Sequence, residues 1–533
     1  MNILKSRLLP VAAFVASSGV CAQNAEADRP NVVLIYADDL GFGDLSCYGA
    51  RNVSTPNVDA LAQNGLRFTN AHSVASTSTP SRYSLLTGEY PWRKEGTDVA
   101  AGNAAMIISP EQFTVADVFK KAHYRTAAFG KWHLGLGAQT GAQDWNGVVS
   151  PALSDIGFDY SYIMAATADR VPCVFIENGR VANYDPSSPI EVSYSRNFPG
   201  EPTGRENPEL LYNLKHSHGH DMSIVNGIGR IGFMRGGGNA LWKDENIADS
   251  ITAHAVDFIE KSDNTPFFIY FATNDVHVPR FPHERFRGAT GMGLRGDAIA
   301  QFDWCVGQVV DALRRKGILD NTVIILTSDN GPVVDDGYAD SAEELLNGHD
   351  PMGGLRGGKY SCFEAGTRVP FIVHWPERIK KGAVKEGLVS QIDFVSAMAG
   401  LVNVSLPKDA APDANDDAKE YWFNPDKGLQ RLYVVQMASN HTLSLRMDDW
   451  KYISPSNGPK MVPWGPKIET GYLAEPQLYR IMDNKKQSII PDYSSVPDDP
   501  RETVNLADEY PSVVERMNNI LYDIREKGVA WED

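Results

Sequence analysis

Acidic and amide side chains follow two apolar runs that lie far apart in the sequence. Asp38 and Asp39 come directly after one run, and Asp329 and Asn330 come directly after the other. Runs this short and this apolar are typical of buried parallel strands, and open α/β sheets bind ligands where such strands end. Carboxylate and amide oxygens suit Ca²⁺ or Mg²⁺, and the sequence offers no cysteine or histidine set typical of zinc. The pattern therefore indicates a divalent-cation site.

A nucleophile and a cation are combined in the stretch Ser78-Thr79-Pro80-Ser81-Arg82. Proline suits the first turn of a helix, so Ser78 is expected just ahead of a helix N-terminus. Free N–H groups and the helix dipole favour negative charge at that point. Arg82 follows Ser78 by about one turn, so both side chains can face one site. The stretch is suited to a nucleophile that acts on an anion.

Four further basic side chains are candidates for anion binding. Lys131 and His133 follow a strand-like run, and they point to the same face if the chain stays extended. His277 follows another strand-like run, and Lys359 lies in a glycine-rich stretch. Fixed cations in a dry site strongly stabilise negative charge that moves onto a leaving oxygen. Together with the acidic groups, these residues indicate hydrolysis of an anionic ester.

These motifs resemble the signatures of the sulfatases and occur in that family's order along nearly the whole chain. Residues 78–82 match C/S-x-P-S-R, and Leu85–Gly88 matches the L-T-G that follows it. The chain is similar to type I, formylglycine-dependent members of the alkaline phosphatase superfamily, in particular to serine-type bacterial enzymes related to arylsulfatase A. The resemblance implies that a serine-type maturase oxidises Ser78 to formylglycine (3-oxoalanine), whose hydrate attacks sulfur.

The resemblance also implies a role for each matching residue. The implied metal is calcium rather than magnesium, and its ligands are Asp38, Asp39, Asp329 and Asn330. Arg82 would orient the formylglycine, and Asp329 would take the proton of the attacking hydroxyl. Lys131, Lys359 and His277 would bind the sulfate. His277, alone or with Lys359, would protonate the departing alcohol, and His133 would take the proton whose removal releases sulfate.

The first 22 residues have the features of a signal peptide. Lys5 and Arg7 precede an apolar run that is too short to cross a bilayer, and small residues at 20–22 precede Gln23. No later segment is long and apolar enough to be transmembrane. The protein is therefore expected to be exported, either to a bacterial periplasm or into the medium.

Composition limits the partners of the protein. Its formal net charge of -17 argues against a nucleic-acid partner, which requires a basic surface. A local cationic pocket can still bind an anionic substrate.

Four cysteines remain after the predicted signal peptide, and export permits disulfides without requiring them in a chain of this size.

A chain of 533 residues is expected to contain more than one packed unit. Residues 23–403 alternate strand-like and helical patterns, which predicts an α/β catalytic domain. The resemblance implies a large, mixed, mostly parallel sheet sandwiched by helices, as in alkaline phosphatase. Residues 404–430 are polar and acidic and read as a linker. Residues 431–533 are expected to form a smaller α+β subdomain with an antiparallel sheet.

A long segment, about 165–245, interrupts the alternation and is expected to form a lid or wall over the pocket. Arg170 and His220 within it are the predicted sugar contacts. Export, this polar segment and the resemblance together predict a sulfated saccharide substrate.

Two alternatives stay open from the sequence. One is a phosphomonoester or phosphonate hydrolase of the same superfamily, and the other is a non-catalytic binder of sulfated glycans.

Overall fold

The computed structural model describes residues 29–427, 431–447, 449–481 and 496–527. The predicted signal peptide, residues 1–22, lies outside these ranges. Within them, no helix combines the length and the apolar character that crossing a membrane requires.

The α-helices are α1 Pro56–Gln63, α2 Ser78–Thr87, α3 Val115–Lys121, α4 Ile247–Lys261, α5 Gly293–Arg315, α6 Phe394–Leu401, α7 Ala418–Phe423 and α8 Pro511–Tyr522. The strands are β1 Asn31–Ala37, β2 Leu66–Phe68, β3 Ala71–His72, β4 Arg125–Lys131, β5 Tyr160–Met164, β6 Phe175–Glu177, β7 Arg180–Val181, β8 Glu191–Ser193, β9 Ile224–Val225, β10 Ile228–Gly229, β11 Phe233–Arg235, β12 Phe267–Ala272, β13 Thr322–Ser328, β14 Phe371–His374, β15 Ala383–Lys385, β16 Val389–Ser390, β17 Tyr433–Met437, β18 Leu443–Met447, β19 Trp450–Ile453 and β20 Gln477–Arg480.

Ten strands form one mixed sheet in the order β15-β2-β14-β13-β1-β12-β4-β5-β6-β7. Strands β13, β1, β12, β4 and β5 run parallel, whereas β14 and β6 are antiparallel to their neighbours. One helix group comprises α1, α4 and α5, and another comprises α2, α3, α6 and α7; both groups pack on β4. The apolar runs of β1, β12 and β13 are buried because strands covered on both faces need apolar side chains on both. The predicted sheet architecture is confirmed.

The C-terminal part carries a separate antiparallel sheet of strands β17-β18-β19-β20. Its core contains Val435, Leu445 and Tyr452 from the strands and Met517 from α8. Val74 and Ala75 from the larger domain join the same buried cluster, so the small sheet is packed directly against that domain. The predicted antiparallel C-terminal subdomain is confirmed.

The acidic stretch predicted as a linker contains a buried helix. Trp422 of α7 is buried, and its ring lies 4.9 Å from the ring of Phe371 in the main sheet. Tyr421 packs edge-on against Phe68 of β2 in the same way. The segment up to residue 427 therefore adds to the main core, and the domain limits drawn from the sequence stay predictions.

Cys47, Cys173, Cys305 and Cys362 are free thiols. Burial raises the pKa of the Cys173 thiol to about 12 and has the same effect on Cys362. These thiols stay protonated at neutral pH and act as small apolar core groups.

Candidate active site

Four parallel neighbours of the main sheet bring the predicted site residues to one edge. Strands β13, β1, β12 and β4 are adjacent, so their carboxyl ends lie together. Asp38 and Asp39 follow β1, Asp329 and Asn330 follow β13, and Lys131 is the last residue of β4. All five side chains are buried. The sheet topology thus unites residues that lie far apart in the sequence.

The acidic groups of this edge are held in direct contact with one another. The Asn330 amide donates to Asp39 Oδ1 at 2.7 Å, and the Asp39 backbone N–H donates to Asp329 Oδ1 at 3.2 Å. Asp39 has a φ of 55°, in the left-handed region that costs energy for a residue with a side chain. Burial raises the pKa of Asp38 well above its ordinary value, and Lys131 opposes that shift. Crowded buried carboxylates of this kind require cations.

Ser78 is the first residue of α2, so this helix begins one residue earlier than the sequence predicts. The Lys131 ammonium donates to Ser78 Oγ at 2.8 Å and to Asp38 Oδ1 at 2.6 Å. Ser78 Oγ also lies 3.4 Å from Asn330 Oδ1. The serine oxygen is therefore positioned between a cation, the acidic group and a helix N-terminus.

Arg82 lies one turn further along α2 and is fully buried. Its Nε and Nη2 donate to Asp329 Oδ2 at 3.1 and 2.8 Å, and its guanidinium lies 5.0 Å from the centre of the Tyr36 ring. Burial alone would raise the pKa of Asp329, but Arg82 and Lys131 hold it well below its ordinary value. Arg82 thus keeps Asp329 ionised and fixed beside Ser78.

His133 is a buried neutral imidazole with an available acceptor. Its Nε2 lies 2.9 Å from the Ala100 carbonyl and donates to it, and its buried Nδ1 has no partner in the described part of the chain. Burial, then the charges of Lys131 and Arg170, hold the pKa of His133 well below its ordinary value. His133 has a φ of 58°, so it is the second residue of the site, after Asp39, with a left-handed backbone conformation. The side chain is suited to accept a proton.

His277 and Lys359 approach the acidic groups from two loops. The Lys359 ammonium bridges Asp39 Oδ2 at 2.8 Å and Asp336 Oδ2 at 3.0 Å. His277 donates from Nδ1 to the Val278 carbonyl at 2.6 Å, and its Nε2 lies 3.8 Å from Asp39 Oδ2. Burial, then Lys359 and Lys131, lower the pKa of His277.

A three-residue donor group lies at the centre of this site. Asp38, Asp39 and His277 each offer one ligand atom, and these three atoms lie within 4.8 Å of one another. The family resemblance implies that the carboxylates bind the metal and that the histidine binds sulfate. The structure therefore places the predicted metal and sulfate groups side by side.

A cavity of about 720 Å³ opens from Ser78 towards the surface. Arg170 and His220, the predicted sugar contacts, both line it. Arg170 Nη1 donates to Asp169 Oδ1 at 3.0 Å, and His220 Nε2 lies 3.0 Å from Asp169 Oδ2. The segment 165–245 thus forms one wall, although it contains short strands where the sequence suggests irregular chain.

Several lining residues had no role in the sequence interpretation. Asp336 fixes Lys359, and Asp169 fixes both sugar-contact candidates, but no local pattern marks either carboxylate. The C-terminal subdomain adds lining residues that no motif identifies: Met437, Ala438, Ser439, His441 and Trp464. These residues reach the cavity only because the two units pack together. No local sequence pattern therefore marks them as lining residues.

Comparison with known proteins identifies the family. The family model described as Sulfatase matches residues 30–404. The N-acetylgalactosamine-6-O-sulfatase of Bacteroides thetaiotaomicron is 48% identical over 533 residues, covering 98% of this chain and 99% of that protein. Human arylsulfatase A is 31% identical over 392 residues, covering 72% of this chain and 66% of that protein.

Structural comparison agrees with the sequence matches. A solved structure connected with the metabolism of multiple glycosaminoglycans by Bacteroides thetaiotaomicron has a TM-score of 0.88 at 49% identity, with 93% of this chain and 99% of that chain covered. The family resemblance found in the motifs is confirmed. The chain belongs to the sulfatase family and is a sulfuric ester hydrolase.

Proposed function

We propose that this protein is an exported enzyme that hydrolyses the 6-O-sulfate ester of N-acetylgalactosamine in a sulfated saccharide. It would use a formylglycine made from Ser78 and one bound calcium ion. The observation that carries the proposal is the Lys131 ammonium, which contacts both Ser78 Oγ and Asp38 at the inner end of the cavity. The choice of sugar and position follows the 48% identical relative, an N-acetylgalactosamine-6-O-sulfatase.

The residues present fit a hard divalent cation. The four predicted ligands offer only oxygen donors, the kind that Ca²⁺ prefers. Four carboxylates here face three permanent cations, namely Asp38, Asp39, Asp329 and Asp336 against Arg82, Lys131 and Lys359. With all four carboxylates ionised, a divalent cation would change the local net charge from negative to positive, which favours binding of an anionic ester. Calcium held by Asp38, Asp39, Asp329 and Asn330 would stabilise negative charge on the nucleophile.

The surroundings of Ser78 also fit its oxidation product. The side chain is 3% exposed, lies on the cavity and accepts from Lys131 at the N-terminus of α2. When formed, the hydrated aldehyde supplies a second hydroxyl that serine lacks, and this hydroxyl allows sulfate to be released after transfer. The helix N-terminus and Lys131 would favour negative charge at this position.

The remaining groups divide into anion binders and proton carriers. Lys131 and Lys359 would bind sulfate oxygens, because their ammonium groups lie on either side of the acidic centre. Asp329, which Arg82 keeps ionised, would accept the proton of the attacking hydroxyl. His277 with a proton on Nε2, alone or with Lys359, would donate that proton to the leaving sugar oxygen. His133 Nδ1 would accept the proton whose removal releases sulfate.

Arg170 and His220 would contact sugar hydroxyls. Both side chains line the cavity, and both are oriented by the same buried carboxylate, Asp169. Side chains fixed in this way lose little entropy when a sugar binds.

The expected signal peptide supports export, and sequencing the N-terminus of the exported protein checks cleavage before Gln23.

The test uses protein matured in cells that contain a serine-type maturase and assayed with calcium. We expect inorganic sulfate from 6-O-sulfated N-acetylgalactosamine, less from the 4-O-sulfated isomer, and none with Ser78→Ala. The mass of the Ser78 peptide reports conversion to the aldehyde. Faster turnover of the 6-phosphate than of the 6-sulfate would instead support a phosphomonoester hydrolase, and equal activity of Ser78→Ala would reject the proposed nucleophile.

A further inference from the structure

The active-site cavity has two chemically different ends. Its inner end is lined by buried charged and polar side chains: Ser78, His133, Asp169, His277, Asp336 and Lys359. Its outer end carries two exposed apolar side chains, Val99 at 45% and Trp464 at 48% exposed. Single exposed apolar residues are common on protein surfaces, but two on the rim of one deep cavity mark a ligand surface.

Trp464 is held in place by its surroundings. Its ring meets the ring of Tyr360 edge-on, with centres 5.0 Å apart and an angle of 88° between the planes. On either side of it in the sequence, Val462 and Ile468 are buried in a small cluster with Val333. The indole is therefore anchored on a packed loop and presents its surface to the cavity without a large ordering cost on binding.

The residue after Trp464 adds to this fixation. Gly465 has a φ of 133°, and a Cβ built there would lie 2.2 Å from His218 Nε2. The backbone thus runs directly against a histidine of the segment 165–245. This close approach brings the C-terminal loop and the segment 165–245 together at the rim.

The titratable side chains Arg205 and His441 at the outer end already have partners. Arg205 makes two hydrogen bonds to Asp221, at 2.7 and 3.1 Å, and His441 pairs with Asp98 at 2.5 Å. A ligand group that lies here meets the exposed side chains of Trp464 and Val99. An aromatic face of this kind suits the apolar C–H face of a sugar ring.

The size of the cavity leaves room for more than one sugar. A volume of about 720 Å³ lies in the upper part of the range for pockets that bury drug-sized ligands, which are larger than one sulfated monosaccharide. We infer that Trp464 is a stacking platform for the sugar next to the sulfated one, so that the enzyme binds oligosaccharides better than monosaccharides. The inference rests on the proposed function, since the inner end must bind the sulfated unit.

The test compares one monosaccharide with two disaccharides. The monosaccharide is the methyl glycoside of 6-O-sulfated N-acetylgalactosamine. The disaccharides carry a neighbouring sugar on its anomeric carbon or on a ring hydroxyl. The variants are Trp464→Ala, Trp464→Phe, which keeps a ring, and Tyr522→Ala, which removes a 54% exposed aromatic outside this cavity.

We expect Trp464→Ala to raise KM about tenfold for at least one disaccharide, with kcat and the monosaccharide KM nearly unchanged. Trp464→Phe should restore most of the loss, and Tyr522→Ala should match the unmodified protein. The disaccharide that responds identifies the direction of the neighbouring sugar. Equal effects on all three saccharides, or no effect on any, would overturn the inference.

A binding measurement separates this inference from the proposed function. Calorimetry on Ser78→Ala, with and without Trp464→Ala, reports affinity for the same three saccharides without turnover. A disaccharide advantage that disappears with Trp464 supports the platform even if no sulfate is released from these esters. Absence of that advantage counts against the platform even if the protein proves to be an active N-acetylgalactosamine-6-sulfatase.

Discussion

At the residue scale, the site is built from side chains that each serve two neighbours. Lys131 contacts Ser78 and Asp38, Lys359 contacts Asp39 and Asp336, and Asp169 contacts Arg170 and His220. Shared contacts of this kind fix the position of each group before substrate arrives. Such preorganisation is the usual source of large electrostatic stabilisation in a transition state.

Replacing Lys131 with alanine tests this arrangement. The change removes the cation beside Ser78 and leaves Asp38 without its nearest partner. We expect kcat/KM for sulfate release to fall by at least about 100-fold. The matched control is Lys120→Ala, which removes a surface partner of Asp159. Activity of Lys131→Ala within about threefold of the unmodified protein would contradict the proposed role, and thermal unfolding checks that both variants are folded.

At the element scale, the ends of parallel strands position the chemistry, and tight backbone contacts set those ends. Gly130 precedes Lys131 in β4, with a φ of 89°. A Cβ at this position would lie 1.8 Å from the Ala272 carbonyl of the neighbouring strand β12. Only glycine allows β4 and β12 to remain this close where Lys131 enters the site.

Gly130→Ala is therefore expected to destabilise the protein and to displace Lys131. We expect a loss of about 3 kcal/mol in the free energy of unfolding, since backbone strain and a clash combine. Gly96→Ala separates the two causes, because Gly96 has a φ of 81° but nothing lies within 4 Å of an added Cβ. It should cost only about 1 kcal/mol. Urea unfolding measures both, and equal losses would show that the clash is unimportant.

His374, the last residue of β14, is expected to make the stability of the protein depend on pH. Burial lowers the pKa of His374 to about 4, and its side chain is 6% exposed. The unfolded chain, with a histidine pKa near 6.5, therefore binds this proton first as pH falls. Stability should decrease from about pH 6.5 towards pH 4, by about 3 kcal/mol from this group.

His374→Gln removes that titration without adding a charge. Urea unfolding at about pH 7 and about pH 4 should show a smaller acid loss in the variant than in the unmodified protein. Parallel losses in the two proteins would mean that other groups account for the whole pH dependence.

At the scale of the whole molecule, a buried ionic cluster joins the small sheet to the larger domain. Lys451 of β19 lies 3.2 Å from Glu364 and 3.3 Å from Glu502. Arg446 of β18 also contacts Glu364, at 3.2 Å. Burial would raise the pKa of Glu364, but Arg446 and Lys451 hold it well below its ordinary value. The cluster thus binds together the two units that both line the cavity.

Lys451→Met should weaken this connection, because it leaves two buried carboxylates without a shared cation. We expect a loss of about 3 to 5 kcal/mol in the free energy of unfolding. Lys467→Met is the control, since Lys467 pairs with Glu343 at an exposed position and its removal should leave stability unchanged. Differential scanning calorimetry measures both variants, and an unchanged transition in Lys451→Met would contradict the role of the cluster.

The sequence by itself determined the family, the sheet architecture and the residues that meet at the strand ends. These features are encoded locally: an apolar run followed by Asp-Asp or Asp-Asn specifies a buried strand and its polar end, and Ser78 to Arg82 specifies a helix start. The tertiary structure decided which groups touch. Asp336 beside Lys359 and His220 beside Asp169 have no local signature, because each contact joins loops that lie far apart in the sequence. Trp464 reaches the rim through packing of the C-terminal unit on the larger domain.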